Sequence, residues 1–308
     1  MLRWITGIFS VLLLAFVTGC GSSDDHPGNV VQVAQSDSRF SILVEAVQAA
    51  GLTDTLTAPG PYTVFAPTND AFSALLGELG VTKDQLLANK PLLTAVLKYH
   101  VVAGQVPSSA VPLGKAIHPV GGGFFKIDKV GTNLVITDGR NRTSNIVQAD
   151  IAASNGVVHA VDKVLLPADK TVVQTAIANP DFSILVEAVT AAGLVDTLNA
   201  PGPFTVFAPT NAAFASLLTE LGVTKAQLLA NTALLTKVLT YHVVPGLVLK
   251  ADVPINTPIK TVEGETFTVG PTLAITDQRA RQSNIVATDV LASNGVIHVL
   301  DKVILPAP

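Results

Sequence analysis

Apolar positions along this chain change their period in one order, and the order is then repeated. Phe40, Leu43, Val44 and Val47 recur at helical spacing, with Gly51 where a helix would stop. Thr82 with Gln85, and again Thr224 with Gln227, fit the capping box, in which a hydroxyl and an amide each satisfy a free backbone N–H of the other. Helices are expected to open there, around Leu86-Leu87 and Leu228-Leu229. Asn179-Pro180 supplies an N-cap and a first-turn proline, and Leu92 to Leu97 predicts a further helix entered through Pro91. Strand-like runs follow at Phe124–Ile127, Leu134–Thr137, Ile146–Val147 and Val157–Leu166, with Gly, Asn and Asp between them. Helices first and strands afterwards predict an α+β domain, an antiparallel sheet wedge with helices at one end.

The repetition is literal. Thr63 to Phe72 (TVFAPTNDAF) returns as Thr205 to Phe214 (TVFAPTNAAF), 142 positions on. The match runs without a gap from Val30-Val31-Gln32 against Val172-Val173-Gln174 through Tyr99-His100 against Tyr241-His242. Beyond Gly121-Gly122-Gly123 the offset falls to 139, so that Ser154-Asn155-Gly156 meets Ser293-Asn294-Gly295. Three residues lost between strands is a change that a surface loop tolerates. A period this long marks a duplicated domain and excludes a short-repeat solenoid. The chain divides into a leader over 1–19, a tether over 20–29, and domains over 30–168 and 169–308. Only Pro167 to Lys170 joins the copies, so the two domains are expected to abut.

Composition changes the picture mainly at the start of the chain. Met1 to Gly19 has one cation, Arg3, then an apolar stretch from Ile8 to Val17 and a small-residue exit, the pattern of a secretory signal peptide. Val17-Thr18-Gly19-Cys20 resembles the bacterial lipobox, in which the cysteine is acylated and becomes the first residue after cleavage. Cys20 is the sole cysteine, so no intrachain disulfide can form, and a thioether-linked lipid removes the problem of a lone thiol in an oxidising compartment. Plain secretion with cleavage nearby is the alternative. The expected location is the cell envelope, at the outer membrane or cell surface. A formal charge of −4 with no basic run argues against a nucleic-acid partner.

Three ordered motifs, present in both copies, carry a family resemblance. Thr63-Val-Phe-Ala-Pro-Thr-Asn69 resembles the first signature of fasciclin-like domains, Tyr99-His100 the family's Tyr-His motif, and Gly156 to Pro167 its second signature. The resemblance implies two tandem wedges, each of two β-sheets with a cluster of N-terminal helices. It also implies secreted or surface-anchored, non-catalytic modules used in adhesion and matrix binding. In animal matrix members an Asp-Ile pair before the second signature, and the Tyr-His motif, are implicated in integrin binding. The matching positions are Asp150-Ile151, Asp289-Val290, Tyr99-His100 and Tyr241-His242. The second copy has Val for Ile, and neither copy keeps the acid-proline context; because the lipobox points to a bacterium, integrin binding itself is not expected to be inherited.

Read as residues, most candidates have a structural role as their first explanation. Asn69 and Asn211 sit between strand and helix, where a cap or turn bonding nearby backbone is expected. His100 and His242 are expected to be partly buried and bonded to backbone. His159 alternates with Val157 and Val161, and His298 with Val296 and Leu300, on apolar strand faces. A metal site joining His100, His159 and Asp162 lacks ligand spacing, and no cofactor is implied. Arg140 and Arg142, with Arg279 and Arg281, form either solvated hairpin tips or a forked contact for an anion or acidic glycan. No nucleophile elbow or phosphate loop is present. The sequence favours an adhesion protein that contacts an extracellular or envelope protein or polysaccharide. A carrier of a small apolar ligand is the rival, and an apolar cavity of a few hundred Å3 would favour it.

Overall fold

The computed structural model describes residues 27–308, so the leader and Cys20 lie outside the described residues. In the first copy the order is α1 (Val30–Ser36), α2 (Ser41–Ala49), α3 (Thr53–Thr57), β1 (Tyr62–Pro67), α4 (Asn69–Leu79), α5 (Lys83–Ala88), α6 (Lys90–Tyr99) and β2 (Val101–Ala103). Then come β3 (Ala116–Ile117), β4 (Phe125–Val130), β5 (Asn133–Thr137), β6 (Thr143–Ala153) and β7 (Gly156–Val161). The second copy repeats this as α7 (Val172–Ile177), α8 (Ser183–Ala191), α9 (Val195–Asn199), β8 (Phe204–Pro209), α10 (Asn211–Leu221), α11 (Lys225–Ala230), α12 (Thr232–Tyr241) and β9 (Val243–Pro245). It closes with β10 (Ile259–Lys260), β11 (Thr266–Val269), β12 (Ala274–Thr276), β13 (Gln282–Ala292) and β14 (Gly295–Leu300). Both predicted capping boxes are present, at Thr82 and Thr224. Asn29 caps α1, and the Gly28 carbonyl accepts from the Ser154 amide, so the fold takes in the end of the expected tether.

Each copy is a mixed α+β unit around one seven-stranded sheet, ordered β2-β1-β7-β6-β5-β4-β3 in the first and β9-β8-β14-β13-β12-β11-β10 in the second. The expectation of a purely antiparallel sheet is corrected at the centre, where β1 runs parallel to β7 and β8 parallel to β14. Those strands are buried along almost their whole length, as parallel strands covered on both sides must be. One face, with Val64, Ala66, Val158 and Ala160, meets the helices, while Phe65 and Val161 join a second core with Phe125, Ile127 and Ile136 from the far end of the sheet. The sheet therefore wraps over on itself. A Cβ at Gly156 would run into the Tyr62 carbonyl, which explains the glycine that opens the second signature.

Two strand boundaries differ from expectation. The run at Ile146–Val147 is the middle of an eleven-residue strand, β6, whose register slips between Ile146 and Gln148 and again between Gln148 and Ile151. The bulge breaks the alternation that would have revealed its length. At the other end β7 stops at Val161 rather than Leu166, because the Asp162 carboxylate turns to the Asn145 amide and side chain (both 2.7 Å). Val164 to Leu166 remain buried without a ladder, the Leu165 amide donating to His100 Nε2 (2.8 Å) and the Leu166 amide to Asp138 Oδ2 (3.0 Å). Asn69 also departs from its expected role. Thr68 is the cap of α4, and the Asn69 side chain reaches across to the Ile42 amide (3.0 Å) and the Ser38 carbonyl (2.9 Å), tying α4 to α2.

Candidate functional site

The bulge in β6 places Asp150 at a corner of the first domain. Its backbone is left-handed, with φ 60°, a conformation that Asp tolerates better than most residues. The Asp150 amide donates to His159 Nδ1 (3.1 Å), and His159 Nε2–H donates to the Val106 carbonyl (3.0 Å), which fixes the neutral tautomer. The Asp150 carboxylate accepts from the Ser108 amide (2.8 Å) and hydroxyl, and these bonds hold its pKa below the ordinary carboxylate value. His159 of the second signature is thus a buried strut that shapes the corner. His298 does the same for Asp289, and burial keeps it neutral by lowering its pKa.

The two corners differ in what covers them. Asp150 is exposed, whereas Asp289 is only 5% exposed because the first domain sits on it. Lys126 of β4 places Nζ 2.7 Å from Asp289 Oδ2 and 3.0 Å from Asp128, while Asp289 Oδ1 accepts from the Lys250 amide (2.7 Å). Burial works against the Lys126 ammonium, but the two carboxylates outweigh it and hold its pKa above the ordinary lysine value. Asn141, at the tip between β5 and β6, pairs both ends of its amide with the main chain of Leu291 (2.6 and 3.0 Å). Phe124 completes the junction by joining an apolar cluster with Leu249, Leu291 and Val296 of the second domain. The two domains therefore meet through a built interface.

The Tyr-His candidates are core residues. Tyr99, His100, Tyr241 and His242 are at most 2% exposed, so a partner cannot reach them in the folded chain. Tyr99 donates to the Phe124 carbonyl (2.6 Å) and Tyr241 to that of Thr266 (2.9 Å). His100 and His242 use both ring nitrogens on backbone, through Val96 and Leu165 and through Val238 and Ile304. Burial lowers each of their pKa values to about 4. Ile151 and Val290 are half-buried, their side chains packed on the helical core.

Arg142 and Arg281 do not present open forks, whereas Arg279 is exposed and, among the described residues, its guanidinium is bonded only through Nε. Arg142 donates to the Val164 carbonyl (3.0 Å) and pairs with Glu78 (3.1 Å); Arg281 likewise engages Val303 and Glu220. Arg140 turns to Pro167 and Asp169, and Arg279 to Pro306. Asp138 and Asp277 organise both hairpins, each accepting from the backbone of its two arginines and of Leu166 or Leu305. Sequence reasoning missed these aspartates, although their recurrence two residues before the first arginine of each pair was a usable signal.

The second domain also holds an apolar cavity of about 280 Å3 between α7, α8, α9, α12 and β8. Its counterpart in the first domain has closed to about 30 Å3.

A family model of the Fasciclin domain matches residues 38–167 and 180–306. The chain belongs to the fasciclin domain family. It is 47% identical over 150 residues to protein sll1483 of Synechocystis sp., covering 47% of this chain and 77% of that protein. It is 28% identical to human periostin over 289 residues, 92% of this chain but 32% of periostin. It is 31% identical to rabbit (Oryctolagus cuniculus) transforming growth factor-beta-induced protein ig-h3 over 252 residues, 80% of this chain and 35% of that protein. The chain thus spans about a third of these animal relatives. Among solved structures it is similar to a FAS1 domain pair from the insect cell adhesion molecule Fasciclin I, with TM-score 0.45 and 19% identity over 88% of this chain and 98% of that one. Fasciclin-domain proteins are of the adhesion and extracellular-matrix type, and this fasciclin protein carries the domain in tandem. Among the described residues no helix is long and apolar enough to cross a membrane.

Proposed function

We propose that this chain is a non-catalytic adhesion protein of the cell exterior, anchored at the envelope by a lipid on Cys20 and contacting extracellular protein or polysaccharide. The observation that carries the reading is the contrast between the two aspartate corners. In the second domain the corner holds another folded surface through the Lys126–Asp289 pair. In the first domain the same corner, with an ionised Asp150, is open. A corner that takes a lysine from a neighbouring fasciclin domain has the chemistry to take a cationic side chain from a partner protein. Because the Asp289 corner is spent internally, the two copies offer different faces, and any gain from tandem attachment comes from unlike surfaces held on one body. The test compares surface attachment of cells carrying the full chain or its Asp150→Asn variant, which keeps an oxygen for the Ser108 amide. Attachment is expected to fall with an unchanged thermal midpoint; equal attachment of the two would refute the assignment. Cys20→Ala should release the protein from the membrane fraction.

A second reading, an envelope carrier for a small apolar ligand, is favoured by the cavity in the second domain. Organic extraction of the purified full chain followed by mass spectrometry tests it. A chain that yields no apolar molecule speaks against it.

A further inference from the structure

We propose that the cavity of the second domain binds an unbranched hydrocarbon chain, the tail of an acyl lipid or fatty acid, entering between α7 and α9 past Ile177, and that the first domain does not share this site. The inference rests on the carrier reading and goes further by naming the ligand class, the domain and the entrance. Three observations carry it. The volume, about 280 Å3, is roughly twice that of an apolar cavity known to stay dry and admit benzene. The wall offers a ligand no free donor, because the Thr190 hydroxyl donates to the Val186 carbonyl (2.8 Å) and His242, which faces the cavity, already has both ring nitrogens bonded to the Val238 carbonyl and the Ile304 amide. Water needs two or more polar partners to be held, so the site suits a chain that brings no hydrogen-bonding group inside.

The third observation compares the copies. Every residue lining the small hollow of the first domain has its counterpart in the larger wall, identical except for Val158 against Ile297. That change adds a methyl group and cannot enlarge the space. The mouth differs instead. Where the first domain has Gln35, Gln48 and Thr53, the second has Ile177, Thr190 and Val195. Ile177 is 61% exposed, the highest value for a large apolar side chain among the described residues. A rim in which Ile177 and Val195 replace Gln35 and Thr53 lets a chain longer than the cavity continue across the surface, with its head group in water.

The experiment titrates the full chain with decanoate and with n-decanol by calorimetry at several temperatures, beside flotation with phosphatidylcholine vesicles. One site per chain with a negative heat-capacity change is expected for both probes. Ala176→Phe, which fills the cavity from α7, should abolish the signal, and the surface pair Ile177→Gln with Val195→Thr should weaken it at least fivefold without altering the thermal midpoint. Binding that persists unchanged in both variants places the ligand elsewhere, which overturns this inference and leaves the carrier reading standing. No binding of either probe also overturns it, and the carrier reading falls with it only if extraction of the native chain is empty too. Flotation that depends on Ile177 without binding of either soluble probe assigns the rim to bilayer contact and overturns the cavity site.

Discussion

Removing Lys126 is the sharpest probe of how the domains are joined. Its side chain is 12% exposed and that of Asp289 2%, so Lys126→Ala leaves a buried carboxylate with one remaining donor, the Lys250 amide. Taking away one partner of a buried pair costs about 3–5 kcal/mol. The domains could escape that cost only by separating, which would expose Phe124, Leu249, Leu291 and Val296, each worth roughly 1.5–3 kcal/mol when fully buried. Separation is therefore the more expensive response, and the domains should stay docked and destabilised. The reverse substitution is cheaper, because in Asp289→Asn the lysine keeps Asp128 at 3.0 Å and the amide oxygen still accepts from Lys250. Urea unfolding at pH 7 should show about 3 kcal/mol lost in Lys126→Ala, about 1 kcal/mol in Asp289→Asn, and a double variant close to the latter. The pKa of Lys126 is raised in the fold, so its contribution is fully present below the unfolded lysine value and is lost as pH rises through the folded one. The gap between wild type and Lys126→Ala should narrow only above about pH 10.4. A loss under about 0.5 kcal/mol in Lys126→Ala, or no rescue by Asp289→Asn, would refute the argument.

Two further outcomes follow from buried polar groups. His100 and His242 have folded pKa values of about 4, so the stability of the neutral rings is present above about pH 6.5 and is lost as pH falls towards 4, roughly 3 kcal/mol for each. Ring-proton NMR checks this, and a titration midpoint near 6.5 for either residue would contradict it. Asn69→Ala breaks the tie between α4 and α2 and should cost about 1–2 kcal/mol, with Asn211→Ala matching it in the second domain, by thermal or urea unfolding. A loss confined to a few tenths would mean that these residues act only locally.

What the sequence revealed and what it hid divides along the range of the interactions. Capping boxes and helical spacing are settled within four residues, and Thr82, Thr224 and the α2 pattern were legible for that reason. The burial of His159 could be read from its valine neighbours, but its task of holding the Asp150 corner could not, because the corner exists only when β6 bulges beside β7. The parallel pairing of β1 with β7 joins segments more than ninety residues apart and left no local trace. Lys126 looked like an ordinary strand residue, since its carboxylate partner is 163 residues away in the other copy. The cavity was hidden differently: its wall is written almost identically in both domains, and only the rim distinguishes the open copy from the closed one.

The divergence of the copies has its own logic at the domain junction. The first domain presents Phe124, Lys126 and Asn141, and the second receives them on Leu249, Asp289 and Leu291. The equivalent presenting positions of the second domain are Thr266, Thr268 and Ala280, and the equivalent receiving positions of the first include Pro107 and Ala152 beside Asp150. A head-to-tail contact of this kind uses two different surfaces, so identical copies would go on adding to one another until they closed a ring or formed an open fibre. Here the equivalent free surfaces lack the aromatic ring, the cation, the amide and both leucines, so neither can remake this contact with a further copy. Thr266→Phe, Thr268→Lys and Ala280→Asn, combined with Pro107→Leu and Ala152→Leu, restore both surfaces. Sedimentation should then show concentration-dependent end-to-end association, while the unaltered chain stays monomeric. If the restored chain also remains monomeric, the lost side chains are not what ends the array.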